Sequence, residues 1–264
     1  MQVIRPFPRV PSLAVQRSRS GLAAEADPGA GCGPAAEDEE GCVPCRLARE
    51  THSPEQGPEA LTRRVASGAA LFRQGDRLQC LYAVRRGTFM LAMTTPAGRE
   101  QVTAFRMQGE LLGLDALSDD RHATSAIALQ DAEVFPVALD ALHELLAGDA
   151  ALATGFRRLL GREMLRDQRR LLLLGTLGAE ERVAAFLLNL SARSAESGGD
   201  ATAVALPMTR SDIGNYLGLR LETVSRILHR FEKRGWLHLH RGGVTALRID
   251  ALKAFFPPGP KAAR

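Results

Sequence analysis

The stretch from Met208 to Leu228, MTRSDIGNYLGLRLETVSRIL, constrains the fold of this chain more than any other, because it holds the start, stop and restart signals of two short helices. Thr209 can cap a helix through its hydroxyl, and Asp212 stands three residues on, where the acid of a capping box belongs. Ile213 and Leu217 share one face, and Gly218 follows where a left-handed residue ends a helix at least cost. A second helix is expected from about Leu221 to Arg234, ended by Gly235, with Leu221, Val224, Leu228 and Phe231 as its buried stripe. The pair forms a helix-turn-helix, a device that lays its second helix in a DNA major groove.

On another face of that second helix, Glu222, Ser225, Arg226 and His229 fall at i, i+3, i+4 and i+7. These are groups that read bases: Arg binds guanine O6 and N7 together, Glu accepts from cytosine N4, and Ser meets either kind of edge. A lone amphipathic helix carries such a face simply because it is solvated. The tandem arrangement is what turns the pattern toward DNA, and Thr209 and Arg210 at the entry of the first helix are counted among the contacts. From Trp236 to Ile249 the polarity alternates around Gly242-Gly243, the pattern of a β-hairpin wing. Arg241 on that hairpin either touches the phosphate backbone or belongs to a hairpin that only closes the small core around Trp236.

Charge is distributed in the same sense. Residues 1–60 hold 6 Arg against 9 Asp and Glu, whereas residues 177–264 hold 13 Lys and Arg against 8 Asp and Glu. The basic end is the one that would approach polyphosphate. No apolar segment is long enough for a signal h-region or a membrane span, so a cytoplasmic protein without a membrane partner is expected. The six His show no H-x-E or H-E-x-x-H spacing, which removes the common metal-hydrolase patterns and leaves no enzyme reading. His238 and His240 alternate on one strand as a possible ligand pair, but a place in the wing explains them better.

Residues 1–58 are rich in Gly, Ala, Pro and charge without a sustained period, so this cysteine-containing leader is expected to be mostly disordered. Within 59–147, short apolar or alternating runs recur at Ala69 to Phe72, Leu78 to Arg85, Thr88 to Thr94, Glu100 to Arg106, Thr124 to Leu129 and Glu133 to Val137. Glycine turns separate them, which implies an all-β roll. From about Asp140 a helical pattern resumes, and Phe156, Leu159, Leu160, Met164 and Leu171 to Leu174 predict one long helix to about Leu174. Its core, 148–176, is assigned as a dimerisation helix with Met164, Asp167 and Leu171 at the seam, because its apolar stripe is too long for its neighbours to cover. Gly175 to Gly178 is a candidate hinge, 177–256 a winged helix-turn-helix domain, and 257–264 a Pro-rich tail that cannot be helical. The fold class is therefore α+β.

In the order β-roll, long helix, AEERVAAFLLNLS, TRSDIGNYLGL-LETVSRIL and wing, residues 61 to 250 resemble the Crp/Fnr family of bacterial transcription regulators, and most closely its Fnr branch. The resemblance implies a homodimer that binds a palindromic promoter site on double-stranded DNA and contacts RNA polymerase. It implies that Glu222, Ser225 and Arg226 read a TTGAT-type half-site. In the cyclic-AMP branch a Gly-Glu pair and an Arg-Ser pair hold the nucleotide. Here Gly109-Glu110 is present, but Thr124-Ser125 replaces the cation, so cyclic AMP is not the expected effector and Glu110 is assigned to a structural turn. The Fnr branch senses oxygen with a [4Fe-4S] cluster on a C-x2-C-x5-C run and one β-roll cysteine. Cys42 and Cys45 match the C-x2-C part, Thr51 stands at the third position, and Phe135 lies near the fourth. Cys32 and Cys80 could complete the four ligands that such a cluster needs.

Three uses of the cysteines stay open: a cluster, a thiol or disulfide switch, and no sensing role. A structural disulfide is disfavoured in a reducing cytoplasm. Two functional alternatives accompany them, a cluster-free regulator controlled by another small ligand or by its own abundance, and a module whose helix-turn-helix contacts protein instead of DNA. Asp167 matches an acid that repels its symmetry mate in Fnr-like dimers, and Arg166, Arg169 and Arg170 around it are expected to screen that repulsion.

Overall fold

The computed structural model describes residues 43–50 and 62–256, so Cys32, Cys42, most of the leader and the tail after 256 lie outside the described residues. Helix α1, Val43–Glu50, falls inside the leader where composition predicts no order. Its Leu47 is fully buried and Arg46 pairs with Glu50 one turn on at 2.6 Å. Eight residues are too few to register as a periodic signal, which is why the sequence pattern misses it.

The described chain divides into two compact units at Gly148 and Asp149. The first is the expected β-roll. Strands β1 (Arg63–Val65), β8 (Ala132–Ala138), β3 (Cys80–Arg86) and β6 (Leu111–Leu112) form one antiparallel sheet. Strands β2 (Ala70–Phe72), β7 (Ser125–Ala128), β4 (Phe89–Thr94) and β5 (Glu100–Arg106) form the other. Phe72, Tyr82, Phe89, Leu91, Leu112 and Val134 meet in the core of the roll. Six of the eight strands correspond to runs visible in the sequence. β6, at two residues, is too short to show an alternation, and β1 opens on Arg63 and Arg64 with no apolar run.

The predicted single helix from Asp140 is two helices. α2 covers Leu139–Gly148 and α3 covers Ala150–Thr176, with Asp149 in extended backbone between them. The Asp149 carboxylate accepts the Leu152 N–H at 2.9 Å, so a cap restarts the helix where the apolar pattern alone runs on. Within α3, Leu152 and Phe156 are buried, whereas Met164, Leu165, Leu171 and Leu172 are 50–71% exposed in the isolated chain. Residues 164 and 171, and 165 and 172, are one heptad apart, a seam in the sense of a coiled coil.

The second unit continues with α4 (Ala179–Glu196), β9 (Val204–Ala205), α5 (Arg210–Leu217), α6 (Leu221–Lys233), the hairpin β10 (His238–His240) and β11 (Gly243–Thr245), and α7 (Ile249–Lys253). Val183, Phe186, Leu187 and Leu190 of α4 are buried, as are Ile213, Leu217, Val224, Leu228 and Phe231 of the two helices that follow. Phe231, Trp236 and Phe255 close the core with ring centroids 5.3–6.0 Å apart. Strand β9 pairs with β11, giving a three-stranded wing sheet.

Candidate nucleic-acid interface

The reading head is built by local chemistry. The Asp212 N–H donates to Thr209 Oγ1 at 3.1 Å while the Thr209 N–H donates to Asp212 Oδ2 at 2.8 Å, a reciprocal cap that fixes the entry of α5. Gly218 ends α5 with φ +64°, and the Leu219 N–H reaches back to the Gly214 carbonyl at 2.8 Å. A Cβ on Gly214 would stand 2.6 Å from the Leu219 carbonyl oxygen, so only glycine lets the turn fold this tightly against α5. The sequence pattern gives no warning of that requirement.

Helix α6 buries Val224, Ile227, Leu228 and Phe231. Leu221, expected in that stripe, is instead 44% exposed, because it is the first helical residue after the turn, and Ile227 fills the stripe in its place. Glu222, Arg226 and His229 are exposed on the outer face, with Ser225 half-buried beside them. The His229 ring nitrogen Nδ1 lies 2.8 Å from the Ser225 carbonyl oxygen, which sets the ring against the helix. Arg226 makes no ion pair or hydrogen bond among the described residues, so its guanidinium is free for an external acceptor.

Thr209 is exposed, and its oxygen is engaged in the cap. Arg210 is half-buried, and burial pushes its guanidinium below the usual arginine range. Arg241 and Gly242 form the two-residue loop of the wing, and Arg241 is exposed at its tip. Glu180 of α4 pairs with Arg230 of α6 and with Arg234, which follows its last turn, and this commits those two cations to holding the head together.

Sequence reasoning misses a second set of residues, those joining α3 to this head. Arg182 donates to the carbonyls of Leu174, Leu177 and Leu217 at 2.8, 2.9 and 3.1 Å. The Arg170 guanidinium lies 4.7 Å from the centre of the Tyr216 ring. The candidate hinge, Gly175 to Gly178, is cross-braced by these contacts. Along α3, Arg166 pairs with Glu163 at 2.5 Å, and Arg170 interacts electrostatically with the exposed Asp167.

In the β-roll, Glu110 closes a turn: its carboxylate accepts the Met107 N–H at 3.0 Å and its own N–H donates to the Met107 carbonyl at 3.1 Å. Thr124 donates its N–H and hydroxyl to Asp115 Oδ2 at 2.8 and 2.9 Å. Buried His122 stacks on Phe72 at 3.7 Å between centroids, with Nδ1 3.6 Å from Asp115 Oδ1. Burial, which raises the Asp115 carboxyl, is outweighed by His122 and the Thr124 hydrogen bonds, leaving it below the usual carboxylate range. The Thr124 hydroxyl is thus spent inside the roll.

Cys80 opens β3 and packs against the roll core, where it interacts with Tyr82. The Tyr82 phenol is pushed up to about 12, first by burial and then by its hydrogen bond with Cys80. Among the described residues no group of three or more His, Cys, Asp or Glu is arranged to hold a metal ion. Cys45 lies in α1, with its side chain outside the described residues. Cys80, the remaining candidate ligand, is half-buried beside Tyr82 at the start of β3.

Comparison with known proteins gives consistent matches. Residues 181–255 match the Crp-like helix-turn-helix domain, and residues 62–149 match the cyclic nucleotide-binding domain. The chain is 40% identical over 215 residues to the fumarate and nitrate reduction regulatory protein of Salmonella typhimurium, covering 81% of this chain and 85% of that one. It is 38% identical to regulatory protein HlyX of Actinobacillus pleuropneumoniae, over 80% of this chain and 88% of that one. Among solved structures, FixK2 from Bradyrhizobium japonicum superposes with a TM-score of 0.68 at 29% identity, covering 75% of this chain and 98% of FixK2.

Proposed function

We propose that this chain, which belongs to the Crp/Fnr family of transcription regulators, binds a TTGAT-type palindrome as a homodimer and reads each half-site with Glu222, Ser225 and Arg226. One observation carries the proposal: the exposed face of α6 offers a carboxylate, a hydroxyl and an unpaired guanidinium within two turns, on a head fixed by the Thr209 and Asp212 cap. Thr209, Arg210 and Arg241 are placed as backbone contacts around it. The apolar seam of α3, with Met164 and Leu171, is proposed to pair with a second copy, which sets two recognition helices about one DNA turn apart. We further propose contact with RNA polymerase and a regulatory, non-catalytic role, and the described helices include none long and apolar enough to cross a membrane. A cytoplasmic location is proposed with the DNA-binding role. A gel shift against the palindrome, with wild type and Arg226→Ala at a stated salt concentration, tests the proposal.

The signal is proposed to be oxygen or redox state, on the strength of the Cys42 to Cys45 spacing and the similarity to the fumarate and nitrate reduction regulators. If a [4Fe-4S] cluster serves, Cys32, Cys42 and Cys45 would supply thiolates, with Cys80 as the fourth once released from Tyr82. The commitment of Cys80 to Tyr82 and the core favours a second reading, a cluster-free regulator controlled by another small ligand or by abundance. Anaerobic purification with iron and sulfide analysis separates them: bound iron and sulfide support the first, and a colourless protein free of both supports the second.

A further inference from the structure

We propose that Arg182 is a positioning residue that fuses the long helix and the reading head into one lever, so that the helix pair of the dimer dictates the spacing between half-sites. The inference rests on the dimeric DNA-binding function proposed above. Only Leu177 and Gly178 separate α3 from α4, both in extended backbone. Two such residues would let the head swing unless something crosses the gap. The Arg182 guanidinium does so in three directions, with Nη2 on the Leu174 carbonyl, Nε on the Leu177 carbonyl and Nη1 on the Leu217 carbonyl.

The choice of acceptors gives the brace its strength. Leu174 lies in the last turn of α3 and Leu217 is the last residue of α5, and carbonyls at helix C-termini have no partner within their own helix. Both ends also carry the negative pole of a helix dipole, so one delocalised cation satisfies and neutralises two helix ends at once. Lys could not replace it, having one point charge where three carbonyls are served from different nitrogens.

A second contact runs parallel to the first. Arg170, half-buried one turn before Leu174, stacks on Tyr216 of α5 at 4.7 Å, and Tyr216 leans on Phe186 of α4 with centroids 5.7 Å apart. A Cβ on Gly218 would lie 3.5 Å from Arg182 Nη1 and 3.7 Å from a Leu174 methyl, so the turn of the helix-turn-helix itself abuts the end of α3. Rotation of α3 must therefore carry α5, and with it α6.

One added base pair between half-sites displaces the second by about 3.4 Å and turns it by about 35° about the DNA axis. A lever of fixed angle cannot follow, whereas a head on a free two-residue tether can. The test uses the full chain as wild type, Arg182→Ala and Arg182→Lys, titrated onto three duplexes: the TTGAT-type palindrome, the same with one extra central base pair, and a single half-site. For wild type the extra base pair should cost about 100-fold in affinity, the avidity lost when only one head engages. Both variants should sediment as wild type does and bind the half-site within about threefold of it, with the spacer penalty reduced to about tenfold or less. Variants that keep the full penalty overturn the proposal. Should the Arg182 variants fail to fold, Tyr216→Leu removes the parallel brace and must shrink the penalty also, and an unchanged penalty there is equally fatal. A wild type that binds palindrome and half-site alike overturns the dimeric DNA-binding function itself, which sets that failure apart.

Discussion

Arg226→Ala isolates the sharpest consequence of the proposed interface. Arg226 is exposed and makes no ion pair among the described residues, so its truncation should change folding stability by no more than about 0.5 kcal/mol. If the guanidinium reads a guanine, the loss per half-site is about 1–3 kcal/mol, and a symmetric dimer doubles it to about 2–6 kcal/mol. That corresponds to about 30-fold to 10⁴-fold in affinity for the palindrome. The loss should be confined to one base pair in each half-site, so duplexes already altered at that pair should bind the variant and wild type nearly equally. The assay is a binding titration over single-base-pair variants of the site at several salt concentrations, with thermal unfolding as the control for folding. A phosphate contact has another signature: weakening on every sequence alike, with the salt slope reduced by about one per contact. That result would refute base readout by Arg226.

Further consequences can be checked separately. Gly214→Ala puts a methyl 2.6 Å from the Leu219 carbonyl and should destabilise the second unit by about 1–3 kcal/mol, read as a lowered midpoint in thermal or denaturant unfolding, and an unchanged midpoint would show that the turn relaxes freely. Leu171→Ala on the exposed seam should weaken self-association by about 1.5–3 kcal/mol per protomer, measured by sedimentation equilibrium, and unaltered association would place the dimer contact elsewhere. Asp115, held below the usual carboxylate range when folded, contributes stability that is present above about pH 4 and is lost as pH falls through its lower folded value. Asp115→Asn should therefore flatten the acid limb of the unfolding curve of the β-roll, and a variant that keeps the same limb would contradict the assignment.

Much of the head is legible in the sequence because its signals are local. Thr209, Asp212 and Gly218 act through bonds to residues at most three or four positions away, and the period of α6 exposes its outer face directly. The brace is a different case. Arg182 serves Leu217, 35 positions on, and nothing in the period of α4 marks it as more than a polar residue on a helix. Gly214 is similar, since its need for a bare Cα arises only when the turn folds back upon it. Asp149 illustrates an error of a third kind, where an apolar pattern runs through a break that a single capping side chain creates. In the β-roll, strands of six or seven residues announce themselves, whereas β1 and β6 exist because their neighbours offer unpaired edges. Cys80 shows the limit of spacing arguments: its distance in sequence from Cys42 and Cys45 permits a shared site, but gives no sign of its neighbour Tyr82.

The most direct test of the central claim is a titration of purified protein onto a fluorescent TTGAT-type palindrome and onto a scrambled duplex of equal length, at about 150 mM salt, with stoichiometry from the saturation point. The proposed function predicts two protomers per palindrome and a preference of about 10³-fold or more over the scrambled duplex. Equal affinity for the two duplexes would contradict it.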